Sequence, residues 1–157
     1  MHKFFLTKSE RDVIRGSEII AEHIGGFPSM EDGCLLSIEI KRKEDSHRYR
    51  IDLTFDIRGW AETVKYCHEV KETEEKIITL RFDGVLDFQI DSPVVWDCGE
   101  IRFDNLHGTE KIYQDESPYS IKEFARPYSR FYIAGHGNGI IIEFEESECI
   151  IEARFSN

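Results

Sequence analysis

The chain has 157 residues, 40% of them hydrophobic and 32% charged, which is enough to form a folded domain with a core and a charged exterior. Its 31 acidic residues outnumber 20 basic ones, and the net charge of −11 disfavours binding to nucleic acid or to an anionic membrane. The net charge is −3 over residues 1–86 and −8 over residues 87–157. This charge favours a partner with a basic surface, which it would attract at a raised association rate.

The sequence gives no sign of membrane insertion or of a metal or redox cluster. No apolar run approaches the roughly 20 residues that span a bilayer, and charges from Lys8 onward leave the apolar start shorter than a signal-peptide core. A cytoplasmic location is therefore the expectation. The cysteines lie far apart without a Cys-x-x-Cys pair, which favours buried thiols. They are Cys34, Cys67, Cys98 and Cys149.

The first predicted element is a helix over about residues 9–24. Ser9 is a suitable N-cap, acidic residues follow it, and apolar residues recur at helical spacing. Gly16 weakens the middle of the segment and can divide it in two. Two glycines and then Pro28 end the helix.

After the helical segment, apolar residues recur with a period of 2 instead of 3.6 in stretches between residues 34 and 155, and this alternation predicts strands. The predicted strands cover about residues 36–40, 49–57, 78–90 across a bulge, 100–103, 130–134, 139–145 and 148–155. Residues 108–126 are polar and turn-rich, and we predict a long loop with one helical turn near Ile121–Phe124. The expected fold is α+β, with a helix followed by a mainly antiparallel sheet or sandwich of about seven strands in a single domain over residues 1–157.

No recognisable catalytic or metal-binding motif is present in the sequence. The glycine-rich run 135–139 precedes a strand, whereas a phosphate-binding loop needs a helix, so the run favours a hairpin turn. The six histidines lack metal-ligand spacing, and adjacent acidic residues are common by chance among 31 acids. We therefore expect a non-enzymatic protein with no catalytic residues, no metal and no cofactor.

Three aromatic features have a structural and a functional interpretation. Residues 124–132 interleave aromatics with two arginines, as a surface for single-stranded nucleic acid does, but the surrounding negative charge favours a strand with core aromatics. Trp60 and Trp96 are expected in the core, with an interface anchor as the alternative for each.

Two segments resemble an immunity-protein family of bacterial polymorphic-toxin systems. In that family a helix ends, the sequence Trp/Phe-Pro-Ser-Phe-His-Asp-Ala-Glu follows, and a strand then begins; residues 24–38 are similar to this pattern. The matching residues are Phe27, Pro28, Ser29 and Asp32. Residues 79–88, Thr-Leu-Arg-Phe-Asp-Gly-Val-Leu-Asp-Phe, resemble the family's Leu-Arg-Phe-x-Gly-Val segment. The family's aromatic, His and Glu are replaced here by Met30, Glu31 and Cys34, so only Asp32 of its polar site is retained.

The resemblance, which covers about residues 19–106, implies a small intracellular antidote that binds a cognate toxin domain and blocks its active site. Many such toxins are nucleases with basic clefts, which an acidic antidote complements. The candidate contacts are Asp32, Trp96, Asp97, Glu100, Asp104, Asp115 and Glu116. The alternatives are a small-ligand binding module or enzyme with its site near Asp32 and Trp60, and a subunit of a constitutive assembly. The oligomeric state stays open.

Overall fold

The computed structural model describes residues 3–44, 46–66, 68, 75–91, 98–106, 111–113, 121–123, 128–134 and 139–156. The helices in these ranges are α1 (Lys8–Arg11), α2 (Ser17–Ile24) and α3 (Arg58–Val64). The strands are β1 (Ile14–Arg15), β2 (Cys34–Arg42), β3 (Tyr49–Asp56), β4 (Ile77–Val85), β5 (Asp87–Ile90), β6 (Ile101–Leu106), β7 (Lys111–Tyr113), β8 (Ile121–Glu123), β9 (Tyr128–Ala134), β10 (Gly139–Glu145) and β11 (Ile150–Phe155).

The strands form two main sheets, in the orders β1-β11-β4-β3-β2 and β5-β10-β9-β6, while β7 and β8 pair with each other. All described pairs are antiparallel except β1 with β11. The chain is thus mostly β-structure with few helices, and the prediction of a mainly antiparallel, β-rich body is confirmed.

The core lies between the two sheets. Phe82 of β4 contacts Phe131 of β9 and Phe144 of β10, with ring centroids 4.7 Å and 6.2 Å apart. Tyr49 of β3 meets Phe88 of β5 edge to face at 5.1 Å. These contacts cross from one sheet to the other, and burial of such large rings is the main favourable term that holds the sheets together.

The prediction of one helix over residues 9–24 is wrong, because the segment is divided into α1 and α2, the division that Gly16 made possible. The N-cap is Thr7, which forms a capping box with Glu10, and α1 ends at Arg11. Ile14 is buried and starts the two-residue strand β1 beside β11, so tertiary packing overrides the helical spacing. At the start of α2, Gly16 has φ +83, and a Cβ there would lie 2.5 Å from the carbonyl oxygen of Ala153.

The region between residues 57 and 90 also differs from the prediction. After the strand predicted over residues 49–57, the chain turns at Arg58 into α3, a helix that the sequence pattern did not predict. Trp60 is fully buried and its indole N–H donates to the Phe4 carbonyl at 2.8 Å, which confirms the core interpretation. The predicted strand over 78–90 is two strands in different sheets, because the chain leaves the first sheet after Val85, next to Gly84, whose φ is +118.

Several smaller predictions are corrected or confirmed. The structure describes eleven strands where about seven were expected, partly because β1, β7 and β8 are short. The predicted helical turn near Ile121 is strand β8. A bulge in β2 between Leu35 and Ser37 leaves Leu36 exposed, although its alternation predicted a buried face. Strands β9 and β10 pair as the expected hairpin, whose residues 135–138 lie outside the described residues.

Candidate partner-binding surface

The candidate contact residues fall into two groups. Four of them lie outside the described residues, namely Trp96, Asp97, Asp115 and Glu116. Asp32 and Glu100 are described with their side chains, and Asp104 is described by its backbone position in β6.

Asp32 lies in a loop that joins α2 to β2. Residues 27–30 of this loop are buried, and Met30 and Asp32 have φ angles of 68° and 62°. Non-glycine residues adopt this left-handed conformation at a cost of about 1–2 kcal/mol, so the surrounding contacts must hold it in place. The Asp32 N–H donates to the Cys98 carbonyl at 3.0 Å, and the Cys98 N–H donates to the Gly33 carbonyl at 2.8 Å. The loop therefore fixes the exposed Asp32 beside the start of β6.

Glu100 lies next to the same loop. Immediately after it, the Ile101 N–H donates to the Ser29 carbonyl at 2.9 Å. The Glu100 carboxylate is 4.0 Å from Lys3 Nζ and 3.9 Å from Arg102 Nε. The structure thus brings together the segments that carry Asp32 and Glu100, and it sets two basic side chains against the charge of Glu100.

The outer face of the four-stranded sheet collects acidic residues from the second part of the chain. In β10 the side chains of Ile140, Ile142 and Phe144 are buried, so the intervening Ile141 and Glu143 lie on the opposite face. The strand register places two rows of residues across this face. One row is Asp87, Glu143, Arg130 and Asp104, and the other is Gln89, Ile141, Tyr132 and Arg102. These eight residues are called the acidic face below.

The two arginines of the acidic face are held by their neighbours. Arg130 Nη2 donates to Glu143 Oε1 at 3.3 Å. Arg102 Nη1 donates to the Tyr132 hydroxyl at 3.0 Å, and its guanidinium lies 5.9 Å from that ring. Tyr132 and Ile141 are partly exposed at the centre of the rows. The face therefore combines an apolar centre with a row of three acidic residues and Arg130 along one side.

The outer face of the five-stranded sheet has a different character. One register row across it is Arg15, Glu152, Arg81, Asp52 and Glu39, and the next contains Arg154, Thr79, Thr54 and Ser37. Asp52 accepts two bonds from Arg81, at 2.9 Å and 3.0 Å, and this pairing raises the pKa of Arg81 above its ordinary value. Over the two rows three bases balance three acids, and neither row contains an apolar residue, which is typical of a solvated face.

Bases from elsewhere in the chain also reduce the acidic excess of residues 87–157. Glu145 at the end of β10 is 3.2 Å from Arg48, which precedes β3. Sequence counting alone therefore exaggerates the negative charge at this end of the sheet, and the register of the strands is needed to locate it.

Two cavities in the described part of the chain have linings that include neither Asp32 nor Trp60. One of about 200 Å³ lies on the outer face of the five-stranded sheet, and one of about 370 Å³ lies between the ends of the sheets. Among the described residues, no group of three or more His, Cys, Asp or Glu side chains is arranged to hold a metal ion. Cys34, Cys98 and Cys149 are free thiols, and Cys67 lies outside the described residues.

In the described ranges, no helix is both long and apolar enough to cross a membrane.

Comparisons with protein-family models, with curated proteins and with solved structures found no match to this chain. The resemblance of residues 24–38 and 79–88 to an immunity-protein family therefore stays a prediction.

Sequence reasoning missed Tyr132, Ile141 and Glu143 as candidate contacts. The alternation of β10 gives a signal for the outward direction of Ile141 and Glu143. The alternation does not identify the strands that pair with β10. These are β9 and β5, and β5 lies about fifty residues earlier in the sequence.

Proposed function

We propose that this chain is a non-enzymatic immunity protein that binds a cognate toxin domain through the acidic face and blocks its active site. The observation that carries the proposal is the position of Tyr132 and Ile141 beside a register row that contains Asp87 and Glu143. The resemblance of the Phe27-Pro28-Ser29 segment to an immunity-protein family supports it independently.

An apolar centre with a polar rim is the usual anatomy of a protein interface, and tyrosine is among its enriched residues. Acidic residues beside that centre would attract a basic cleft over several ångströms and raise the association rate. The opposite outer face offers balanced charges without an apolar centre, so it is the weaker candidate. The location that fits such an antidote is the cytoplasm of the producing cell.

Asp32 and Glu100 extend the proposed contact region at one end of β6. Glu100 precedes Arg102 of the acidic face by two residues, and Asp32 is fixed to the same segment through Cys98. The bonds between this loop and Cys98 would hold the Asp32 main chain in one position, which reduces the backbone entropy lost when a partner binds.

The test uses the product of the neighbouring gene, which we expect to be a large secreted protein with a variable C-terminal domain. That C-terminal domain is expressed alone in a bacterial host, and growth is measured with and without this chain. We expect arrest with the domain alone and growth when the chain is present. Arrest in the presence of folded chain, or a neighbouring gene of unrelated metabolism, would contradict the proposal.

A further inference from the structure

The cavity of about 370 Å³ lies where the ends of β6, β9 and β10 face α1 and β11. Two carboxylates line it from opposite elements, Glu10 from α1 and Glu146 from the turn after β10. Phe103 and Phe144 contribute apolar walls from the inner surface of the four-stranded sheet. The cavity therefore combines negative charge with an apolar interior.

Both carboxylates are fixed by the protein through one oxygen. Glu10 Oε1 accepts bonds from the Thr7 N–H and the Thr7 hydroxyl, both at 2.9 Å, and contacts Lys3. Glu146 Oε1 accepts a bond from the hydroxyl of buried Ser129 at 2.8 Å. Among the described residues, no hydrogen bond engages Oε2 of either carboxylate. Oε2 of each carboxylate can thus accept a bond from a ligand that enters the cavity.

The remaining walls are apolar or neutral. Phe103 packs on Phe131 with ring centroids 5.1 Å apart, which holds it in position. Burial, with a smaller contribution from Asp83, raises the pKa of the Cys149 thiol to about 12, so this cavity residue is uncharged at neutral pH. A thiol in that state is a weak nucleophile and serves as a small hydrophobic surface.

We propose that this cavity binds a small organic cation, a protonated amine or guanidinium carried on a short apolar body. The carboxylate oxygens would accept charge-assisted hydrogen bonds from the cation, while the phenylalanine walls cover its apolar part. The volume falls at the lower end of the roughly 300–1,000 Å³ typical of small-molecule sites, which suits a ligand of about ten non-hydrogen atoms. The contact of Lys3 with Glu10 balances one of the two negative charges, so Glu146 is the principal anion for the ligand.

The test compares 3-phenylpropylamine with the neutral isostere 3-phenylpropanol, using ligand-observed NMR and titration calorimetry on the full chain. We expect the amine to bind at least about tenfold more tightly than the alcohol, because a hydrogen bond to a charged group contributes more than a neutral one. Equal binding of the two compounds, or no binding of either, would overturn the proposal.

Glu146→Gln identifies the site, because glutamine keeps an oxygen that can accept the Ser129 hydroxyl bond. We expect this variant to bind the amine about tenfold more weakly and the alcohol unchanged. Glu148→Gln is the matched control, since it removes the same charge from the same turn outside the cavity lining. An equal effect of the two substitutions would assign the result to general charge and overturn the proposed site. The outcome does not depend on the toxin-binding proposal.

Discussion

Gly59→Ala tests whether the loop that carries Asp32 is fixed in the position described. Gly59 lies in α3, where alanine normally stabilises a helix by up to about 1 kcal/mol relative to glycine. A Cβ at this position would lie 2.2 Å from the carbonyl oxygen of Asp32. That distance is far below van der Waals contact, and the opposing atom belongs to the backbone, so either the loop or the helix must move.

The expected loss of stability follows from the contacts that hold the loop. Overpacking typically costs about 1–3 kcal/mol. Displacement of the loop would also strain the two hydrogen bonds that Asp32 and Gly33 form with Cys98, and each such bond contributes about 1 kcal/mol to stability. After the helical gain is subtracted, we expect Gly59→Ala to lower the free energy of unfolding by about 2 kcal/mol.

Urea unfolding followed by circular dichroism measures this change, with a shift in the midpoint at a constant slope. Glu62→Ala, an exposed position in the same helix, is the control and should change stability by less than about 0.5 kcal/mol. A gain in stability for Gly59→Ala would refute the reasoning, because it would mean that the loop yields without cost.

Two pH-dependent effects are also expected. A hydrogen bond from Arg58 holds the pKa of Asp56 below its ordinary value, so the stability that this carboxylate contributes is present above about pH 4 and is lost as the pH falls through the folded-state pKa. Asp56→Asn should therefore lower stability by about 1 kcal/mol at pH 7 and converge with the wild type in acid; a constant difference across urea titrations from pH 7 to 2 would contradict this assignment. The Cys149 thiol has its pKa raised from 9.0 to about 12, so its contribution is complete below pH 9 and is lost between pH 9 and 12, where unfolding releases a proton. The wild type should lose stability over that range faster than Cys149→Ala, by up to about 1.4 kcal/mol per pH unit, and parallel curves would exclude a buried thiol.

Some elements could be predicted because local pattern and tertiary environment agree. In β3 the apolar residues Ile51, Leu53 and Phe55 are all buried, and in β10 the burial alternates without a break. Each of these strands has one face toward the core, so apolar and polar residues alternate in the sequence as buried and exposed side chains alternate in the structure.

Other elements could not be predicted, because distant contacts decide them. The helical spacing before Ile24 suggested one helix, but pairing of Ile14 with Ile151 of β11 interrupts it. Helix α3 starts with Arg58-Gly59-Trp60, a sequence of modest helix propensity, and its tryptophan is anchored by the carbonyl of Phe4, more than fifty residues earlier.

The candidate site, too, could be predicted from the sequence only in part. Outward directions within β10 can be inferred from alternation, and the acidic bias of residues 87–157 can be counted. The row that joins Asp87 to Glu143 exists because the chain leaves the first sheet after Val85 and β5 then pairs with β10. This is a long-range pairing that the alternation in residues 78–90 does not reveal, since the apolar period continues across the change of sheet.

The central claim is that the acidic face makes the functional contact. Its most direct measurement is the association rate of the neighbouring gene's toxin domain, determined by biolayer interferometry at low and high salt. The test variant is Asp87→Asn/Glu143→Gln, which keeps the oxygens that accept bonds from the Phe88 N–H and from Arg130. The matched control, Glu39→Gln/Glu152→Gln, removes two charges from the other sheet.

We predict that the acidic-face variant weakens binding about 2- to 30-fold at low salt, corresponding to about 0.2–1 kcal/mol for each charge removed. The loss should lie mainly in the association rate and should shrink at high salt, while the control variant binds as the wild type does. Equal effects of the two variants, or a loss in the acidic-face variant that salt does not change, would contradict the account.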